Sequence, residues 1–173
     1  SCPSCPSCPS SQQAPGETFV YEFDAPDAGT YWYHPHQRSF EQVGRGLYGP
    51  LIIEETNPPQ VDRDVTWVLD DWRLLIDAQI SEDFGNRHDM SHAGRIGNTV
   101  TVNGRITDMF EARAGERIRL RLINAANARI FGLEFDGHTP WVIAYDGQPV
   151  DPHQVTGRLD IGPAMRIDLI LDL

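Results

Sequence analysis

Apolar and polar positions in this chain alternate in short runs, broken every few residues by Gly, Pro, Asn or Asp, a pattern that predicts an all-β protein. Thr18-Phe-Val-Tyr-Glu-Phe23 is rich in aromatic and β-branched residues and predicts a strand. Ala25-Pro-Asp-Ala-Gly29 punctuates it before a second strand over 30–34, giving a hairpin-like pair. Residues 37–43 contain few breakers and offer Ser39 as a cap, enough for about one helical turn before Gly44 and Gly46. A buried strand resumes over 48–54. Beyond Thr56-Asn-Pro-Pro-Gln60, strands are expected at 64–69, 99–103, 117–124, 130–135, 141–144, 154–161 and 166–171. Turn signals at Asn103-Gly, Ala114-Gly, Asp136-Gly and Asp146-Gly separate most of them. Asp70-Asp-Trp-Arg73 is expected to turn the chain into a long polar excursion over 77–98. Ile118-Arg-Leu-Arg-Leu-Ile123 alternates, which predicts a half-exposed antiparallel strand with one buried and one wet face.

The two prolines after Asn57 stop pairing on both sides and mark a domain break. Residues 14–56 hold only about three strands where a complete sandwich has about seven, so they read as the C-terminal part of a first β-sandwich. Residues 57–63 are then a linker, and 64–173 a second sandwich domain. The ten residues at the start repeat Ser-Cys-Pro and carry all 3 cysteines, at 2, 5 and 8. An iron–sulfur ligand run needs a fourth Cys, so 1–13 are expected to be a disordered or artefactual tail.

Composition narrows the function. A net charge of −11 argues against nucleic acid, whose phosphates must be met by clustered basic residues. No run approaches the roughly 18 apolar residues of a membrane span. All 14 basic residues are Arg, which is read as coding bias and carries no function.

The candidate chemistry lies at His34-Pro-His36. Successive side chains of an extended segment point to opposite faces, so the two imidazoles share one face roughly 7 Å apart along the strand, with Pro35 rigid between them. Neutral imidazole is the commonest protein ligand for borderline transition metals, although an arbitrary His-x-His on a strand is more often solvated surface. His88, Met90 and His92 are scattered in the polar excursion with Glu82 and Asp83; any of them could bind a metal transiently, but without a fixed ligand spacing they read as a surface connection. His138 and His153 read as loop histidines, His138 bonded to backbone.

The block Gly29-Thr-Tyr-Trp-Tyr-His-Pro-His36, followed by Gly46-Leu-Tyr-Gly-Pro-Leu-Ile-Ile53, resembles the second copper-binding motif of the multicopper oxidases, the family of laccases and bacterial copper-resistance oxidases. Val102-Asn-Gly104, Glu116-Arg-Ile-Arg-Leu-Arg-Leu-Ile-Asn124 and Asp146-Gly-Gln-Pro-Val150 resemble the family's second domain. The resemblance implies cupredoxin-like Greek-key β-sandwiches, the first of them incomplete. It implies an enzyme that couples one-electron oxidation of a reducing substrate to four-electron reduction of O2, with copper as cofactor. His34 and His36 would each take one metal of the type 3 pair in a trinuclear cluster, and the second domain would bind no copper and act as a spacer. A periplasmic or secreted location follows from the same likeness. The family's upstream His-x-His-Gly motif and downstream His-Cys-His run do not occur in these residues. The chain is therefore expected to be a piece of a larger protein, inactive alone, whose partners are the remaining segments of its polypeptide or another subunit. Rival readings are a copper-free cupredoxin-like structural protein of the cell envelope and a two-domain oxidase or nitrite-reductase relative.

Overall fold

A computed structural model describes residues 14–106 and 109–173. The tail expected over 1–13 lies outside the described residues. Strand β1 (Gly29–Tyr33) leads through a short helix, α1 (Ser39–Gln42), and a 3-10 turn (Val43–Arg45) to β2 (Gly49–Ile53). Then come β3 (Arg63–Trp72), α2 (Arg87–Ser91), β4 (Thr99–Val102), β5 (Arg117–Asn124) and β6 (Phe131–Leu133). The last four strands are β7 (Trp141–Tyr145), β8 (Gln148–Gln154), β9 (Leu159–Ile161) and β10 (Arg166–Asp172). The all-β expectation holds.

The strands form a six-stranded sheet in the order β4-β3-β5-β10-β7-β8 and two small sheets, β1-β2 and β6-β9. Alternation along β5 and β10 sends Leu120, Leu122, Ile167 and Leu169 to one face, where they pack with Val142, Phe131 and Ile161 into a dry core between the large sheet and β6-β9. Asp146 (φ 51°) and Gly147 (φ 81°) close β7 onto β8 with two successive left-handed residues, as the Asp-Gly signal predicts.

Several expectations are corrected. Residues 18–23 form no strand: the ladder partner of β1 is β2, with Tyr31 opposite Leu51, and Val20, Tyr21 and Phe23 stay exposed. Strand composition without an edge to pair with is not enough. Ser39 is the first helical residue, not the cap; Arg38 holds that position at φ 48°. β2 is half-buried rather than buried. The acidic pair at 70–71 does not turn the chain, and β3 continues to Trp72 because its polar groups are satisfied in place. Tyr48 donates to Asp70, Arg129 pairs with Asp71 at 2.9 Å, and the Trp72 indole donates to Thr101 at 3.0 Å. The single strand expected over 154–161 is two, β8 and β9, parted near Gly157 at φ 82°. Pro149 and Pro152 are tolerated in β8 because it is an edge strand.

The largest correction concerns β5. It is buried on both faces, and it pairs antiparallel with β10 but parallel with β3. The expected wet face carries Arg119 and Arg121, exposed by only 1% and 4%, against which β1 packs. Arg119 makes a bidentate pair with Glu55 (2.6 and 2.8 Å) and bonds Asp168 at 2.7 Å. Arg121 grips Asp64 through two bonds of 2.7 Å and donates to the Thr30 hydroxyl at 2.8 Å. Alternation predicted the facing of these arginines correctly, but a strand pattern cannot reveal that another sheet covers them. A buried guanidinium with bonded carboxylates on both sides is compensated; removing one partner strands the other charges. Arg119→Met is therefore expected to cost about 3–5 kcal/mol in urea denaturation. Arg117→Met, which breaks only the exposed pair with Asp172, should cost less than about 1 kcal/mol. Equal losses in the two variants would refute this assignment.

Candidate metal centre

His34 and His36 follow directly on the end of β1, and the stacking of their rings on Trp32 and on each other puts the three side chains in one row. Trp32 and His34 stack with centroids 4.1 Å apart and planes 23° apart; His34 and His36 stack at 5.0 Å and 16°. The row is held from below by β2, where Gly49 sits opposite Tyr33 and leaves room for its ring. It is anchored at its base by Gly29, whose missing side chain would come within 2.5 Å of the Gly147 carbonyl oxygen.

His34 is half-buried and His36 exposed. Burial lowers the pKa of His34, and the neighbouring His36 lowers it further, which favours the neutral ring. Its Nδ1 is buried with no hydrogen-bond partner. A buried, unpaired, neutral imidazole nitrogen beside a second imidazole is a donor set suited to a borderline transition metal and costly to leave unused.

A cleft of about 580 Å³ opens beside His34. Trp32, His34, Phe40 and Val43 line one side, and Asp89, Met90 and Arg95 of the polar excursion line the other. That excursion is a fastened wall. Arg73 grips Asp89 with two bonds of 2.9 Å and reaches Asp83 at 2.8 Å; Arg95 bonds Asp83 at 2.6 Å; Arg45 pairs with Glu82. The Ser81 hydroxyl first, then Arg95 and Arg73, hold the Asp83 carboxyl well below the usual range.

Behind Trp32 lies a pair that the sequence did not single out. Tyr48, 6.3 Å from Trp32 between centroids, donates its hydroxyl to Asp70, which is 4% exposed. Burial pushes Asp70 up to about 6, with the Tyr48 bond opposing, and raises the Tyr48 hydroxyl as well. The signal available was an acidic dipeptide inside an apolar strand pattern, where a carboxyl must find a donor.

The other histidines do not join the pair. His138 is exposed in its turn, with its backbone N–H rather than its ring bonded, to Phe135 O at 3.1 Å. His153 lies in strand β8 instead of a loop, its Nδ1 3.0 Å from Asp151 O. His88 and His92 stack on each other at 4.3 Å on α2. Among the described residues no group of three or more His, Cys, Asp or Glu is placed to hold a metal.

Sequence profiles described as multicopper oxidase match residues 5–58 and 63–173. The chain belongs to the multicopper oxidase family. It is 34% identical to multicopper oxidase MmcO of Mycobacterium tuberculosis, over 91% of this chain and 36% of that protein. It is 33% identical to laccase-3 of Trametes villosa, over 91% of this chain and 33% of that protein. A crystal structure of a multicopper oxidase from Pseudomonas thermotolerans superposes with a TM-score of 0.86 at 36% identity, covering 92% of this chain and 39% of that one. The chain thus spans about a third of the length of the curated relatives it matches. That similarity fits the all-β, cupredoxin-like fold. No helix among the described residues is long and apolar enough to cross a membrane.

Asp70 makes the stability of this multicopper oxidase chain depend on pH in a stated direction. Its folded pKa of about 6 exceeds the ordinary 3.8, so the native state holds the proton more tightly. The stabilisation is complete below pH 3.8 and is lost as pH rises through 6. Asp70→Asn removes this dependence. Between pH 4 and 7 urea-unfolding free energies should shift in favour of the variant by at most about 3 kcal/mol; a constant gap across that range would contradict the assignment.

Proposed function

We propose that this chain is the part of a multicopper oxidase that supplies one histidine pair, His34 and His36, to the type 3 coppers of a trinuclear cluster. The observation that carries the reading is the stacked imidazole row with the orphaned, buried Nδ1 of His34. The membership in the family and the match of both profiles support it. We place residues 14–56 as the C-terminal part of a first cupredoxin-like domain, 57–63 as a linker and 64–173 as the second domain. The separate β1-β2 sheet and the gap between the two profile matches support that division. The remaining ligands come from other segments of the polypeptide or from another subunit, and a periplasmic or secreted location is inferred from the likeness to the family.

When bound, copper supplies the one-electron steps that couple oxidation of a reducing substrate to reduction of O2 to water. The residues of the chain do the rest. Pro35 fixes the backbone between the two rings, so their separation does not have to be won from a flexible segment. Trp32 covers the inner face of His34 and keeps water from it. The lowered pKa of His34 favours the neutral ring, the form whose lone pair a metal needs. The arginine lattice under β1 holds the strand that carries both rings.

In the protein that carries this chain, His34→Ala and His36→Ala are each expected to lower O2 uptake by more than about 100-fold, the upper end of what losing a mere supporting partner costs. Copper per chain should fall in metal analysis while the far-UV spectrum stays unchanged. Full copper content and undiminished O2 uptake in His36→Ala would overturn the proposal.

A further inference from the structure

The polar excursion contains a second histidine pair. Helix α2 is short but firmly seated. The Asn86 side chain accepts from the Asp89 N–H at 2.9 Å as its cap, and Asp89 itself is turned inward onto Arg73. With Asp89 buried, His88 and His92 stand on the solvent side, one turn apart. Their rings lie 4.3 Å apart with planes at 23°. The decisive detail is at His92, whose Nδ1 lies 3.1 Å from the His88 carbonyl oxygen and 2.9 Å from Ser91 Oγ. With Nδ1 turned to that carbonyl, which only accepts, Nε2 is the nitrogen left for a metal. A hydrogen bond from the second nitrogen to a backbone carbonyl is how ligating imidazoles are usually oriented.

We propose that His88 and His92 form a surface site for a divalent transition metal of the copper, nickel and zinc class, separate from the His34 and His36 centre. His88 lies in α2 and His92 is its C-cap, so the pair keeps the separation of four residues with which helical histidine pairs bind zinc. Two imidazoles and no free carboxylate select a borderline metal over calcium or magnesium, which need several oxygen ligands. Copper(II) binds tightest, because affinity at a given nitrogen site peaks there in the divalent series. Water fills the remaining positions. Met90 is exposed but projects from another side of the helix and stays outside the site. A bound ion also clips the end of α2, where His92 at φ −125° and ψ −128° leaves the helix without a left-handed cap. A metal site on α2 departs from the expectation that the second domain binds no copper, which was formed without a helix over these residues.

The test uses the intact, copper-loaded protein, freed of loosely held metal and dialysed against copper(II), zinc(II) or magnesium. Wild type should take up one additional copper(II) per chain, bind zinc(II) more weakly at the same place and ignore magnesium. His88→Ala and His92→Ala should each weaken the additional copper at least 10-fold, and its paramagnetic resonance spectrum should lose nitrogen couplings. O2 uptake by the pre-loaded enzyme should be unchanged in both, so failure here is separable from failure at His34 and His36. No additional ion in wild type, or an additional ion that persists in the His88→Ala/His92→Ala double variant, would overturn the proposal.

Discussion

The buried arginines Arg119 and Arg121 tie the strand that leads to the two candidate ligands to the large sheet. Desolvating two guanidinium groups is costly, and the chain offsets it by converging carboxylates from three places, Glu55 after β2, Asp64 in β3 and Asp168 in β10, with the hydroxyl of Thr30 in β1 as a neutral partner. These partners come from both sides of the proline-rich connection. Apolar residues in the same space would bury as well but would not fix direction. A bidentate guanidinium–carboxylate pair does, because its two bonds define a plane as well as a distance. The lattice therefore sets the orientation of β1 on the large sheet.

A second, looser lattice organises the other wall of the cleft. Arg73, Arg95, Asp83 and Asp89 tie a segment without strands to the end of β3. These pairs are partly exposed, so they are screened by salt and individually weak. The molecule thus joins a rigid base under the imidazole row to a wall held by salt-sensitive contacts.

The sequence was legible where local pattern determines local structure. The strand before the His-x-His, the helical turn after it, the Asp-Gly hairpin and the shared face of His34 and His36 follow from alternation and turn chemistry. It was illegible where the outcome depends on what covers a surface. Residues 18–23 have strand composition and no partner, and residues 118–123 have an amphipathic pattern and no wet face. The Asp70–Tyr48 pair was missed, and His88 and His92 were read as scattered surface residues, for one reason: each pairing depends on a contact or a period that exists only after the chain has folded. The site was more readable than its support, because ligand spacing is local and the arginine lattice joins residues up to 91 positions apart.

The glycine contact at the base of β1 gives the histidine strand the mechanics of a lever. Gly29 and Gly147 meet backbone to backbone, so this point is the fulcrum and cannot be cushioned by a side chain. From there to His34 the arm is roughly 17 Å long, at about 3.3 Å per residue. A working site tolerates displacements of about 0.5 Å. Over such an arm that allows an angular error of only about 2 degrees at the fulcrum, before the rings miss their target. Any side chain larger than hydrogen at position 29 would tilt the arm rather than lengthen it, and its effect would be felt at the tip.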